Sequence, residues 1–347
     1  MYIKKILLAI VFVGLAVAAY FAYYVYNTMF SPNTAFNNDT AYIYVKSTDT
    51  YKEVREQLVP LLKDIDKFDA LAEQKKYVSN IKSGRYAIKK NMNNNDIINS
   101  IRSNNIPVKI SFNNQETLEK LAGRVASQIE ADSVSLINAM KNKTFLSENN
   151  FEEETALGMY IPNSYEFFWN TSAKKFTRRM LKEYNRFWND SRKAKAKAIN
   201  LSQDQVMALA SIVQKETAKV DERPRVAGVY LNRLKKRMPL QADPTVIYAV
   251  KHKTGDFEQV IKRVLYKDLE IDSPYNTYKY AGLPPGLITM PDVSSIDAVL
   301  NSEKHNYYYF VVNVENFGYH KFAKTLAQHN QNKQEYIRWI NNKGIRR

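Results

Sequence analysis

The segment VQKET (213–217) carries two polar side chains that could do chemistry, Gln214 and Glu216, within a helical stretch. The preceding SQDQ (202–205) fits a capping box, in which a Ser N-cap is followed three residues later by Gln, so we predict that the helix begins at Gln203. At roughly 100° per residue, Glu216 falls inside the apolar stripe of this helix, and Gln214 lies about 160° away. We therefore expect Gln214 to point outward and Glu216 to face the protein.

A carboxylate on an apolar face is an unusual placement that allows two interpretations. Burial disfavours the charged form and raises the pKa of a glutamate, and a glutamate protonated near neutral pH can serve as a general acid. Alternatively, Glu216 pairs with an arginine such as Arg223 or Arg233 and is structural. Helix geometry alone leaves both interpretations open.

The composition of the whole chain sets broad limits on its fold and partners. Its 347 residues suggest two or three domains, and with 45% hydrophobic residues a sizeable core is possible. The net charge of +16 is compatible with nucleic acid, an anionic membrane surface or an anionic polymer as the partner. There is no cysteine, which removes thiolate nucleophiles and is common on the oxidising side of a membrane.

The N-terminus narrows the choice of partner. Residues 6–26 carry no charge and are long enough to cross a bilayer, whereas a cleaved signal peptide, the alternative, has a shorter apolar centre. Lys4 and Lys5 precede this segment, so the positive-inside rule keeps residues 1–5 in the cytoplasm. Nearly all of the chain then lies outside the cell membrane, and we expect no nucleic acid partner.

The remaining pattern predicts an α+β protein. Polar residues 27–40 resemble a tether, and residues 41–108 have the order strand–helix–helix–strand–helix of a small α/β module. Residues 109–347 are predicted to form a mixed helical and β domain, in which 307–325 form a hairpin turning at ENFG and a terminal helix follows.

Several separated blocks of the sequence resemble one known family. The stretch LASIVQKETAKVDERPRVAGVYLNRLKKRMPLQADPTVIYAV, with YNTYKYAGLPPGLITMP, YYYFVVN and HKFAKTLAQHN, is similar to the signature of the endolytic murein transglycosylases, the YceG-like family. The order and spacing of the blocks and the N-terminal anchor match as well. Residues 41–108 occupy the position of the family's LysM-like subdomain, with a weaker match.

The resemblance implies a bacterial inner-membrane lyase that cleaves the bond between N-acetylmuramic acid and N-acetylglucosamine within peptidoglycan strands and leaves 1,6-anhydromuramic ends. It implies that the Glu of KET, Glu216, is catalytic. Many members have EKET, and Gln214 departs from that pattern, which leaves the chemistry to Glu216. Termination of nascent strands beside peptidoglycan synthases is the role that the resemblance implies.

One carboxylate could suffice for such a reaction. Hydrolytic glycosidases usually need two, but here the 6-hydroxyl of the sugar can be the nucleophile, so Glu216 can act first as acid and then as base. We expect no cofactor and no metal, since the four histidines show no ligand pair at close helical spacing.

Other positions are weaker candidates for contacts with the sugar, by hydrogen bonds or aromatic faces. The loop QADPT could instead cap a helix, and Glu166 is a second carboxylate whose alternative is structural pairing. The candidates are Gln241, Asp243, Thr245, Asn276, Tyr278 and Glu166, with His329 and Asn330 as supports behind the site.

Three rival functions remain. The first is a peptidoglycan-binding or scaffold protein without turnover. The second is a two-carboxylate hydrolase that pairs Glu216 with Glu166 or Asp243. The third, an aminodeoxychorismate lyase with pyridoxal phosphate, fits poorly with a chain that lies almost wholly outside the membrane.

Overall fold

The structure is a computed structural model, and it describes residues 2–343. The chain divides into two compact units. Unit 1 runs to Ile110 and also includes Gln128–Ala131 and Tyr165–Ser172, and unit 2 contains the rest. The secondary structure mixes helices with short strands, as predicted for an α+β protein.

Unit 1 contains the small α/β module in the predicted element order. Strands β1 (Thr40–Val45) and β2 (Gly84–Lys89) pair antiparallel, with Thr40 opposite Lys89. Helices α2 (Tyr51–Leu58), α3 (Ile65–Gln74) and α4 (Asn94–Ser103) enclose a buried aliphatic and aromatic core with these strands. Each helix begins after a residue whose side chain accepts a backbone hydrogen bond, as N-caps do; these are Thr50, Asp64 and Asn93.

The N-terminal helix α1 (Tyr2–Phe30) is long and apolar enough to cross a membrane, by length and composition. The segment that follows it is not the tether that its polar composition predicted. Asn33 is buried, and its side chain bonds the backbone of Asp64 and the side chain of Asn94. Asn94 in turn donates to the carbonyl of Thr28, near the end of α1. Buried hydrogen bonds therefore fix this polar segment to the module.

The predicted boundary at residue 108 lies within a strand. Strand β3 (Pro107–Phe112) pairs with β4 (Asn163–Phe168). Two later segments belong to unit 1 because they contact its residues: Glu130 accepts a hydrogen bond from Ser47, and the ring of Trp169 packs edge-on against Tyr44. Sequence order alone does not reveal such returns of the chain.

Unit 2 is largely helical and ends with the predicted hairpin, in which β5 (Tyr309–Val312) pairs antiparallel with β6 (His320–Ala323). Its helices are α5 (Leu118–Ala126), α6 (Ser133–Met140), α7 (Lys143–Glu148), α8 (Ala173–Phe187), α9 (Asp190–Ala198), α10 (Gln203–Glu216), α11 (Arg223–Lys235), α12 (Asp243–Thr254), α13 (Tyr266–Leu269), α14 (Val293–Leu300) and α15 (Leu326–Asn342).

Helix α10 lies at the centre of unit 2. Every residue from Val206 to Val213 is buried, because α11, α12 and α14 all pack against this helix. A helix covered on all sides has no solvent face along these turns. The polar residues at the C-terminal end of α10 therefore lie among neighbouring helices.

Candidate active site

Glu216 is the last residue of α10, and the local sequence explains why the helix ends there. Ser202 and Gln205 form the predicted capping box, so the helix begins at Gln203 as expected. Thr217 is extended and closes the helix. The unpaired carbonyls of a helix C-terminus carry partial negative charge, which disfavours an ionised carboxylate there.

Tyr230 of α11 is the direct partner of Glu216. Its hydroxyl donates a hydrogen bond of 2.7 Å to Oε1 of Glu216. Burial raises the pKa of Glu216 to about 7, and the nearby charge of Asp243 adds to the rise, whereas the Tyr230 hydroxyl opposes it. The carboxyl group is thus poised to hold or release a proton near neutral pH.

The structural alternative for Glu216, an ion pair with Arg223 or Arg233, does not occur among residues 2–343. The Arg223 guanidinium donates to the Ser294 hydroxyl at 2.6 Å. The Arg233 guanidinium donates to the carbonyls of Tyr308 and Leu240, at 2.6 and 2.8 Å. Both arginines hold backbone and loops around the site, and Arg233 acts on Glu216 only through its charge.

A second carboxylate and a second tyrosine lie at the same site. Asp243, the exposed first residue of α12, accepts a hydrogen bond of 2.5 Å from the hydroxyl of Tyr278. The pKa of Tyr278 is raised by burial, by this hydrogen bond and by the charges of Asp243 and Glu216. The structure therefore brings together the predicted residues Glu216, Asp243 and Tyr278.

Thr245 and Asn276 are placed differently from the expectation that they contact sugar. Both side chains are fully buried. The Thr245 hydroxyl bonds Thr277 and the carbonyl of Ala242, and the Asn276 amide donates to two loop carbonyls. These side chains hold the loops that present Asp243 and Tyr278, and they offer no surface to a ligand.

Gln241 is exposed, and its backbone is in the left-handed region with φ of 50°. A residue other than glycine in this region is uncommon, and such positions cluster at functional sites. The backbone N–H of Gln241 donates to the carbonyl of Thr277 at 3.1 Å, which holds the strained turn. A sugar contact by its side chain stays a prediction.

The expectation that Gln214 points to solvent is wrong. Its amide donates to Oδ2 of Asp292 at 2.9 Å, and its oxygen accepts hydrogen bonds from Ser295 and from the backbone N–H of Asp292. The helical wheel gave the direction of the side chain correctly, but α14 covers that face. Gln214 therefore fastens the end of α10 to the start of α14.

The remaining predicted residues lie further from this cluster or in another unit. His329, on α15, stacks on Tyr309, whose ring also lies beneath the Arg233 guanidinium. Asn330 is exposed on the same helix, and Glu166 is exposed on β4 in unit 1. Their proposed roles stay predictions.

Sequence reasoning missed His320 and Glu222. Glu222 is buried, and it accepts hydrogen bonds from Nδ1 of His320 at 2.8 Å and from the backbone N–H of the same residue at 2.7 Å. Burial acts to raise the pKa of Glu222, but the hydrogen bonds from His320 outweigh it and hold this pKa below its ordinary value. The block HKF, at the start of β6, was the available signal for this histidine.

Comparisons with known proteins agree with one another. A family model described as "YceG-like family" matches residues 43–335. An endolytic murein transglycosylase from Bacillus subtilis is 33% identical over 286 residues, which cover 77% of this chain and 76% of the relative. One from Streptococcus pneumoniae is 28% identical over 298 residues, or 78% of this chain but only 53% of the relative.

A solved structure is also similar. The 2.6 Å crystal structure of a yceG-like protein from Listeria monocytogenes superposes with a TM-score of 0.57 at 27% identity, covering 85% of this chain and 99% of that chain. A family match over most of the chain, supported by identity above 30% to a relative of similar length, establishes membership. This chain belongs to the YceG-like family.

Proposed function

We propose that this chain is an endolytic murein transglycosylase that cleaves the glycosidic bond between N-acetylmuramic acid and N-acetylglucosamine within peptidoglycan strands. The observation that carries the proposal is the buried position of Glu216, whose carboxyl group has a pKa raised to about 7. Membership of the YceG-like family supports it. The same name is given to the relatives from Bacillus subtilis and Streptococcus pneumoniae.

In the proposed reaction, Glu216 protonates the glycosidic oxygen as the bond to C1 of the muramic sugar breaks. The carboxylate that remains then accepts the proton of the 6-hydroxyl as that oxygen bonds to C1. The product is a 1,6-anhydro ring, and Glu216 returns to its protonated form without water or a metal ion. The Tyr230 hydroxyl, 2.7 Å from Oε1, stabilises the carboxylate while it exists.

A cavity of about 530 Å³ is lined by Lys215, Pro244 and Ile247 among others. Lys215 and Pro244 are the chain neighbours of Glu216 and Asp243, which do not line the cavity themselves. We infer that α1 anchors the chain in the inner membrane with a cytoplasmic N-terminus, beside nascent strands and their synthases. We also infer that residues 41–108 act as a LysM-like glycan-binding module.

A second candidate is a hydrolase in which Asp243 is the other carboxylate. It is favoured by the charge of Asp243, which acts directly on the pKa of Glu216, and by the Tyr278 hydroxyl that fixes its orientation. Glycosidases with two carboxylates use one as acid and the other as nucleophile or base. The two candidates differ in their products, because hydrolysis adds a water molecule to the new end.

Mass spectrometry of the products tests both candidates. Full-length protein in detergent is incubated with uncrosslinked glycan strands, and the new ends are weighed. Anhydro-muramic ends are expected, and reducing muramic ends as the main product would support the hydrolase instead. Intact strands that remain bound to the protein would identify a scaffold without turnover.

A further inference from the structure

The pair formed by His320 and Glu222 has no role in the reaction described above. Glu222 precedes α11 and is held six residues after Glu216, and His320 begins β6. Glu222 uses both carboxylate oxygens on this one histidine, one on its ring and one on its backbone N–H. So complete a fixation of one imidazole resembles the way in which a carboxylate orients a working histidine.

The tautomer of His320 follows from its partner. Because the pKa of Glu222 is held low, its carboxylate is ionised and can only accept hydrogen bonds. Nδ1 of His320 must therefore carry the proton, so Nε2 of the neutral ring has a free lone pair. Among residues 2–343, Nε2 has no hydrogen-bond partner and is not one of the buried unpaired atoms, and the side chain keeps 13% of its surface exposed.

The His320 ring is also joined to the Glu216 site by packing. It lies edge-on to Phe310, with 5.0 Å between the ring centroids, and Phe310 in turn lies edge-on to Tyr230, with 5.9 Å between their centroids. Tyr230 donates to Glu216. His320 lies close enough to Glu216 that its ring, when protonated, would act on Glu216 by its charge; the neutral ring has no such charge. Nε2 of the neutral His320 ring is thus a hydrogen-bond acceptor near Glu216, and it is available whether Glu216 is protonated or ionised.

We propose that His320 is a substrate-contacting residue, whose Nε2 accepts a hydrogen bond from the 6-hydroxyl of the muramic sugar and orients its oxygen toward C1. The inference rests on the proposed function. While Glu216 holds its proton, its O–H is directed at the glycosidic oxygen and its other oxygen, Oε1, already accepts from Tyr230, so an acceptor outside Glu216 aligns the 6-hydroxyl. When the O6–C1 bond forms and the glycosidic bond breaks, the hydroxyl proton ends on the Glu216 carboxylate, and His320 undergoes no net change.

The proposal predicts an acid limb in the pH profile, because a protonated His320 cannot accept a hydrogen bond at Nε2. Other charged groups lie around His320 and Glu216, so the acid limb of the pH profile has to be assigned by substitution. They are Glu216 and Glu222, Arg233 and Asp243 around Glu216, Lys219 and Asp221 beside Tyr319, and Arg225 over Phe322.

The experiment compares His320→Asn with native full-length protein in detergent, using uncrosslinked glycan strands as substrate. The substituted amide keeps a donor for Glu222 but has no atom at the position of Nε2. We expect kcat to fall roughly 10-fold with little change in KM, and the acid limb of kcat to disappear. His252→Asn, at an exposed histidine outside the site, is the matched control and should keep the native profile.

Glu222→Gln is the second variant, in case His320→Asn does not fold. Its amide can donate to Nδ1 and so favour the other tautomer, in which Nε2 is a donor, and we expect a similar fall in kcat. If the native protein forms anhydro ends and the folded variants keep its kcat and its acid limb, the role of His320 is overturned but the proposed function is not. Absence of anhydro ends from the native protein overturns the proposed function, and this inference with it.

Discussion

Two glutamates only six residues apart, Glu216 and Glu222, have opposite titration behaviour. Burial acts to raise the pKa of each. Glu222 receives hydrogen bonds from both the ring and the backbone of His320, and its pKa falls. Glu216 receives one hydroxyl and faces the negative Asp243, and its pKa rises to about 7. The hydrogen-bond donors and the neighbouring charges, and not burial alone, therefore separate a carboxyl group with a raised pKa from one with a lowered pKa.

The sharpest test of this comparison is Glu216→Gln. The amide keeps the shape of the side chain but cannot give a proton, and general acid catalysis contributes about 10²- to 10⁴-fold. We expect kcat to fall within that range, measured as the rate at which anhydro ends form. Glu148→Gln, at an exposed glutamate at the end of α7, is the control, and a folded Glu216→Gln variant with native activity would falsify the assignment.

Tyr230→Phe tests whether one donor limits the rise in the pKa of Glu216. The lost hydrogen bond favoured the carboxylate, so the pKa of Glu216 should rise above about 7 and the basic limb of the activity profile should move to higher pH. The loss of one hydrogen bond costs about 0.5–1.5 kcal/mol, so kcat should fall less than about 10–15-fold. A basic limb that moves to lower pH would contradict this account.

The stability of the protein should also depend on the proton of Glu216. Its pKa is about 7 in the folded chain and near the ordinary value of 4.5 in the unfolded chain, so between these values the folded chain binds more protons. The free energy of unfolding of the native protein should therefore fall relative to Glu216→Gln as pH rises from 4.5 through 7.

Urea denaturation of the two proteins at about pH 4.5 and pH 8 measures this difference, because groups common to both cancel. We expect the free energy of unfolding of Glu216→Gln minus that of the native protein to be larger at pH 8 than at pH 4.5. A difference that does not change with pH would mean that Glu216 is not held protonated by the fold.

The smallest effect on activity is expected from Gln214→Ala, on the opposite side of the same helix end. It removes the hydrogen bonds to Asp292 and Ser295, which should cost about 1–3 kcal/mol of stability. The basic limb set by Glu216 should not move, because Gln214 contacts α14 and not the acid. A shift of that limb would show that the two faces of the helix are coupled.

Local sequence signals predicted the start of α10 and the direction of Glu216, because a capping box and helical periodicity depend on neighbouring residues only. They could not show that α14 covers Gln214, or that Asn33 is buried by partners far along the chain. The donors that distinguish Glu216 from Glu222, Tyr230 and His320, come from α11 and β6. Such tertiary contacts leave no periodic trace in a single sequence.

The fixed junction between α1 and its module has a mechanical consequence. The 29 residues of α1 span roughly 44 Å at 1.5 Å per residue, whereas the hydrocarbon core of a bilayer is about 30 Å thick. The excess lies on both sides of the uncharged span 6–26, and its C-terminal part packs against α3 and α4 and carries the buried Thr28. In the proposed anchored protein, the module is therefore joined rigidly to α1. The tilt of α1 in the membrane then sets the height and orientation of the module above the lipid.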